Sequence, residues 1–204
     1  MPETIIDLDS LKAYLKVPRE NSNSDEVLEM VRQGAEGYVR AYCSRQFTQA
    51  SYVETFNGTN RKALRLVETP VAISPAPTVT EDGAALVVAV GYSTSADVVC
   101  DPVNGLMHRL PTGSRATAQT NAWSPGVQNI TVTYTGGYTT ATTPGDLRMA
   151  TAYVGGILWR ASDKMEIGVM SRGDAAHNIS LLEDLPAIYK RILDVYKRVP
   201  TGGL

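Results

Sequence analysis

The chain has 204 residues, of which 43% are hydrophobic, which is enough for one domain or two small domains with a core. Its formal net charge of −2 argues against tight binding of duplex DNA, because proteins that grip DNA normally carry a basic patch. No apolar run approaches the roughly 20 residues of a membrane-spanning helix, and the first ten residues do not form the pattern of a signal peptide. We therefore expect a soluble protein made in a cytoplasm, with Cys43 and Cys100 as free buried thiols rather than a disulfide.

Two amphipathic helices are predicted near the N-terminus. The first runs from about Ser10 to Lys16, after a capping aspartate that is either Asp7 or Asp9, and it ends before Pro18. The second runs from about Ser24 to Cys43, because apolar residues recur at steps of three and four. These residues are Leu28, Val31, Ala35, Tyr38 and Tyr42.

Between about Ser51 and Tyr134 the pattern changes to short β segments separated by turns. Ile130, Val132 and Tyr134 alternate with threonines, which is the period of a strand. The predicted strands are Tyr52–Phe56, Ala63–Val67, Thr78–Thr80, Leu86–Val90, Val98–Cys100, Gly105–Leu110 and Asn129–Thr135. The predicted turns are Asn57-Gly58, Asp82-Gly83 and Asn104-Gly105. Strands of this length and spacing indicate an antiparallel sandwich or a small barrel.

Two further helices are predicted after the β region. One runs from about Pro144 to Arg160, and the adjacent Gly155 and Gly156 within it predict a close helix crossing or a kink. The last begins at Pro186, and the residues predicted on its buried side are Ile188, Ile192, Val195 and Val199. The segment 161–184 between them has little periodicity, and a loop of this length is often functional or ordered by a partner.

The order of elements predicts the α+β class. We expect a small helical bundle of about four helices, built from residues 1–48 and 144–204. An antiparallel β-sandwich or barrel-like domain, residues 49–143, would be inserted into it.

No group of residues predicts catalysis, a metal site or any other cofactor site. The sequence lacks a GxxxxGK[ST] phosphate loop, an HExxH metal site and a GxSxG nucleophile elbow. His108 and His177, the only histidines, are far apart. Trp123 and Trp159 could serve as stacking platforms for a sugar, although packing in a core is the expected role of Trp159. We therefore predict a protein that is not an enzyme.

The order of motifs resembles the phage head–tail connector, or adaptor, family of neck proteins that attach beneath the portal. Three parts carry the resemblance. The first is LDSLKAYLKV followed by SNSDEVLEMVRQGAEGYVRAYCSRQF. The second is YVETFNG, LRLVETPV and EDG. The third is W-SPG-VQNITVTYTGGY, P-GDLRMATAYV and LPAIYKRILDVYKRV.

This resemblance implies a structural virion protein of the neck, assembled in the bacterial host cytoplasm as a homo-oligomeric ring of about a dozen copies. Its implied partners are the portal protein, a stopper or tail-completion protein, and double-stranded DNA that passes through the channel without sequence-specific binding. No membrane and no catalytic residue is implied. We expect the end of the last helix and the tail to contact the portal, through Tyr196, Arg198, Pro200, Thr201, Gly202, Gly203 and Leu204.

A second set of residues is expected at a subunit contact or in a docking loop. They are Gly155, Gly156, Met165, Gly168, Arg172 and Gly173. Two alternatives stay open: another neck component, such as a stopper or tail-completion protein, or a β-sandwich module that binds glycans or a surface.

Overall fold

The computed structural model describes residues 3–91, 93, 95–111, 122–163 and 185–198. The fold divides into two compact units: Met1–Gln46 with Thr139–Leu204, and Phe47–Tyr138. In the described part of the chain there are four α-helices and two four-stranded sheets, so the predicted α+β class is confirmed. The first unit is helical and the second contains all the strands.

The helical unit contains the predicted helices, with ends that shift by a few residues. They are α1 (Leu8–Leu15), α2 (Asp25–Cys43), α3 (Gly145–Asp163) and α4 (Ala187–Tyr196). The Asp7 carboxylate accepts a hydrogen bond of 2.7 Å from the Ser10 backbone N–H, which confirms Asp7 as the cap of α1. Lys16 ends α1 and Ser44 ends α2, each in the left-handed conformation.

The interior of the helical unit is formed where α1, α2 and α3 meet. Leu11, Leu28, Val39 and Leu147 are each fully buried. A Cβ atom built on Gly155 would lie 3.0 Å from Leu11 Cδ1, so α1 and α3 approach closely at this glycine. The close crossing predicted from the two glycines of α3 is therefore present within the chain.

Glu36 holds the segment before α1 against α2. Its side chain is 5% exposed, and Oε1 accepts the Ile5 backbone N–H at 2.9 Å and Arg32 Nη1 at 2.7 Å. Arg40 Nη2 donates to Oε2 at 3.1 Å. A buried carboxylate with this many donors is electrostatically satisfied, and removal of one partner would leave an uncompensated buried charge.

The β unit contains eight strands within the described residues. They are β1 (Ala50–Gly58), β2 (Ala63–Arg65), β3 (Thr78–Glu81), β4 (Ala84–Leu86), β5 (Val88–Val90), β6 (Val98–Asp101), β7 (Leu106–Arg109) and β8 (Gly126–Gly136). Strand β8 is central in the first sheet, whose order is β1-β8-β3-β4. Ile130, Val132 and Tyr134 of β8 are at most 3% exposed, so the alternation predicted for this strand is confirmed.

The second sheet, in the order β2-β7-β6-β5, corrects the prediction of purely antiparallel strands. Strand β5 pairs with β6 in parallel, with Val88 opposite Val98. The single strand predicted at Leu86–Val90 is two strands, and the chain leaves the first sheet and joins the second at Val87. The Val87 carbonyl oxygen accepts the Asp97 N–H at 2.8 Å, and the Asp97 carboxylate accepts the Val87 N–H at 2.9 Å.

One of the predicted turns is also wrong. Asn57-Gly58 does not connect two strands but lies at the end of β1, where the register with β8 shifts between Phe56 and Gly58. A Cβ atom on Gly58 would lie 1.6 Å from the Ser124 carbonyl oxygen, so the glycine is explained by close backbone approach. The Asp82-Gly83 turn is confirmed: both residues have positive φ, 51° and 77°, between β3 and β4.

Candidate interaction surfaces

The described residues contain no group of three or more His, Cys, Asp or Glu side chains that could hold a metal ion. A buried ion pair of the β unit, Arg109 with Glu81, has a structural role. Arg109 Nε donates to Glu81 Oε2 at 3.2 Å, and Glu81 Oε1 accepts the Ser124 N–H at 2.7 Å. His108 lies on an exposed side of β7, and His177 lies outside the described residues.

The two cysteines are free, buried and chemically quiet. Burial raises the pKa of Cys43 and of Cys100 to about 11, because the thiolate would lose its hydration. The prediction of free buried thiols is therefore confirmed. At neutral pH both remain protonated, so neither is an activated nucleophile.

Trp123 is a core residue and not a platform for sugar binding. Its side chain is 2% exposed and belongs to the core of the β unit with Met107, Ile130 and Val132. Trp159 is partly buried and packs against the apolar cluster between α1, α2 and α3, as expected. The alternative of a glycan-binding module therefore loses the tryptophan on which it mainly depended.

A cleft of 480 Å³ lies in the helical unit beside Gly156. Its walls combine aromatic rings and two cationic side chains. The lining residues are Tyr14, Leu15, Lys16, Tyr153, Gly156, Ile157, Trp159 and Arg160. Burial, and then the neighbouring Tyr189, raise the pKa of Tyr14. Aromatic walls with cations suit an apolar or acidic side chain.

The predicted portal-binding residues are described only in part. The Tyr196 hydroxyl donates to Asp146 Oδ1 at 2.8 Å, and the Arg198 backbone N–H donates to the Cys43 carbonyl oxygen at 2.9 Å. These bonds fix the end of α4 onto the helical unit and leave the Arg198 side chain exposed. The remaining residues of this set, Pro200, Thr201, Gly202, Gly203 and Leu204, lie outside the described residues.

The predicted subunit-contact set is divided in the same way. Gly155 is buried against Leu11 of the same chain, and Gly156 lines the cleft. Met165, Gly168, Arg172 and Gly173 lie outside the described residues. The assignment of this set to a contact between subunits stays a prediction.

The buried side predicted for α4 is wrong. Ile188 and Val195 are 65% and 79% exposed, whereas Leu193 is fully buried. The row Tyr189, Leu193 and Tyr196 faces inward instead, and the Tyr189 ring stacks on Tyr153 with centroids 4.2 Å apart. Two apolar rows compete on this helix, and the row with larger rings fills the interior. Ile188, Ile192 and Val195 therefore form an outer stripe of α4, with Ile192 only partly buried.

A second exposed apolar surface lies on α2, apart from the apolar face that the sequence predicted for this helix. Val27 and Met30 are 44% and 68% exposed, and Gly37 lies on the same side of the helix. Val27, Met30 and Gly37 form the outer face of α2. Gly34 instead lies beside α3, where an added Cβ atom would be 3.3 Å from Leu158 Cδ1. The sequence indicates this face only through apolar residues and a glycine that lie between the residues assigned to the core.

Within the described residues, no helix is long and apolar enough to cross a membrane. No protein-family model matches the sequence, and no curated protein matches it significantly. Solved structures with a similar fold do exist.

Three of these solved structures come from gene transfer agent (GTA) particles. One chain, from the neck of an empty GTA particle with C6 symmetry, has a TM-score of 0.56 at 14% identity, and the match covers 98% of this chain and 93% of that one. A chain from the virion of a native GTA particle has a TM-score of 0.54 at 12% identity, with the same coverage. A chain from the neck of a native GTA particle with C12 symmetry has a TM-score of 0.50 at 13% identity and coverage of 100% and 97%. At such identity the likeness establishes a shared fold.

Proposed function

We propose that the protein is a structural component of the neck of a tailed-phage-like particle, and that it forms the head–tail connector ring beneath the portal. The observation that carries the proposal is the extent of the fold similarity. It covers 98–100% of this chain and 93–97% of the GTA chains, so it includes both the helical unit and the β unit. A common β-sandwich alone could not produce a match of this coverage.

The adaptor role is favoured over a stopper or tail-completion role by the helices that flank the β unit. The resemblance to the adaptor family rests on motifs in these helices as well as in the strands. Two of the similar chains come from GTA necks computed with C6 and C12 symmetry, which is consistent with a ring of about a dozen copies. The partners would be the portal, a stopper or tail-completion protein, and further copies of this chain.

The chemistry of the described residues agrees with a scaffold rather than an enzyme. The described ion pairs fix segments of the fold, the thiols are protonated, and the net charge of −2 suits a ring that lets DNA pass without holding it. The exposed apolar residues of α2 and α4 provide surface for protein contacts.

The test is to purify the protein alone and with the portal of the same particle, and to measure mass by light scattering and shape by negative-stain imaging. We expect a ring added to the narrow end of the portal, even if the free protein is monomeric. Absence of association with a competent portal, together with binding to a preassembled portal–adaptor complex, would instead identify a stopper or tail-completion protein.

The same assay tests the proposed role of the tail. A chain that lacks residues 200–204 should still fold, because the last described contact of α4 is made by Arg198. We expect it to add to the portal less completely than the full chain. Unchanged addition would remove the tail from the portal contact.

A further inference from the structure

We propose that the outer stripe of α4 in one copy packs against the outer face of α2 in the next copy. This inference rests on the proposed ring and names the surfaces that would close it. A head-to-tail interface requires two different surfaces on each chain. The described residues of the helical unit leave these two apolar surfaces exposed.

The stripe on α4 takes little part in the packing of the described residues. The inward row of the helix already contacts α2 and α3: Tyr189 stacks on Tyr153, and the Cys43 thiol donates to the Leu193 carbonyl oxygen at 3.4 Å. Ile188 and Val195 add little to that packing, because they are 65% and 79% exposed. Burial of two aliphatic side chains of this size favours association.

The outer face of α2 combines exposed apolar side chains with an open backbone position. Met30 and Val27 project from it, and a Cβ atom on Gly37 would meet no atom within 4 Å. A glycine inside an exposed helix costs about 1 kcal/mol relative to alanine in the isolated chain. A second helix could approach the backbone closely at Gly37, and aliphatic side chains could lie beside Met30.

The two surfaces cannot cover one another within a single chain. Helix α4 contacts α2 near its end, through Tyr42 and Cys43. Met30 lies about 20 Å from Cys43 along the helix, at a rise of roughly 1.5 Å per residue. Contact between the surfaces therefore needs two copies, and repetition of the contact produces a ring or a chain of copies.

Each surface has an exposed charged residue beside it, and these two residues have opposite charges. Arg191 is exposed and lies on α4 between Ile188 and Val195 in sequence, on the same side of the helix. Glu26 is exposed and lies one turn before Met30 on α2. The opposite charges favour a second copy of the chain as the partner that binds each surface. They also provide an ion pair that charge-reversal variants can test.

The experiment measures ring formation on the portal for the wild type, Arg191→Glu, Glu26→Arg and the double variant. We expect each single reversal to lower the ring-bound fraction roughly two- to fivefold, as the loss of one exposed ion pair predicts, and the double variant to recover it. Lys62→Glu, an exposed reversal on the β unit, is the control matched in charge and should have no effect.

Cross-linking gives a second readout. Because Cys43 and Cys100 are buried, only the introduced thiols of a Met30→Cys, Val195→Cys chain should oxidise readily. We expect a ladder of dimers, trimers and larger species in assembled rings, with no ladder from either single variant. Each variant is checked for native circular dichroism first.

The outcomes separate this inference from the proposed function. Wild-type rings that form normally while the reversals are silent and no ladder appears would overturn the interface alone. Loss of portal binding by Ile188→Glu, Val195→Glu with its self-association intact would also overturn it, because the stripe would then contact the portal. A wild type that forms no ring with or without the portal would overturn both.

Discussion

Arg32 holds two carboxylates on the buried side of α2. Its Nε and Nη2 donate to the two oxygens of Glu29 at 2.8 and 2.5 Å, and Nη1 donates to Glu36 at 2.7 Å. These charge-assisted bonds lower the pKa of Glu29 to about 2, mainly through the hydrogen bonds from Arg32. The Glu29 side chain is partly exposed, so solvent screens part of this interaction.

The lowered pKa of Glu29 predicts a defined pH dependence of stability. A carboxylate whose pKa falls on folding stabilises the protein above its ordinary pKa of about 4.5, and this contribution is lost as the pH falls towards about 2. Glu29→Gln should therefore lower the urea midpoint at pH 7. The difference in urea midpoint between this variant and the wild type should narrow below about pH 4.5. Urea unfolding followed by circular dichroism between pH 7 and 3 measures this gap.

Glu20→Gln is the control for that series, because Glu20 is exposed in the loop after α1. It should leave the midpoint unchanged across the range. A gap for Glu29→Gln that stays constant down to pH 3 would contradict the role assigned to the Arg32 bonds.

At the scale of elements, two helical glycines should respond in opposite ways to added side chains. Gly155 of α3 faces Leu11 at the crossing with α1, whereas Gly37 of α2 faces open space. Gly155→Leu should lower the free energy of unfolding by about 1–3 kcal/mol, because the added side chain overpacks the crossing. Gly37→Ala should raise it by about 1 kcal/mol, because alanine is the better helix former.

Chemical unfolding of the monomeric protein measures both variants under one condition. Gly37→Ala serves as the control for a general effect of substitution within a helix. Equal and small effects at the two glycines would show that α1 and α3 are not tightly packed at Gly155.

The limits of prediction from the sequence are also clear at the level of elements. The alternation in β8 and the three- and four-residue steps in α2 identified these elements, because each has one strong apolar face. In α4 both the row Tyr189, Leu193, Tyr196 and the outer stripe have helical spacing, and periodicity cannot say which row is buried. The buried row is decided by the packing of the Tyr189 ring on the Tyr153 ring. These two residues are 36 positions apart in the chain.

The transfer of the chain between the two sheets was likewise beyond local pattern. The residues from Ala84 to Val90 are continuously apolar, which is typical of one strand. The break at Val87 depends on backbone and side-chain bonds with Asp97, ten residues later. The sequence indicated the end of α4 as part of the candidate interaction site. It could not show which residues of that helix lie on the surface and which lie in the core.

At the scale of the whole molecule, the β unit has the features of an independent domain. Its ends lie together: the Tyr138 backbone N–H donates to the Phe47 carbonyl oxygen at 2.7 Å, and Thr48 bridges to Tyr138. Its core is its own, formed by residues from both sheets and Trp123. An inserted segment with adjacent ends and a separate core is the usual anatomy of a domain that folds alone.

We therefore expect residues 47–138, expressed alone, to unfold cooperatively in urea. Trp123 is the single tryptophan of this fragment, and its burial at 2% exposure predicts a blue-shifted emission that moves to the red on unfolding. The same fragment with Val132→Asp is the control, because an unpaired charge in the fully buried centre of β8 should prevent folding. A wild-type fragment whose emission already matches that of the control would mean that the β unit depends on the helical unit, and the division of the chain into two domains would then be wrong.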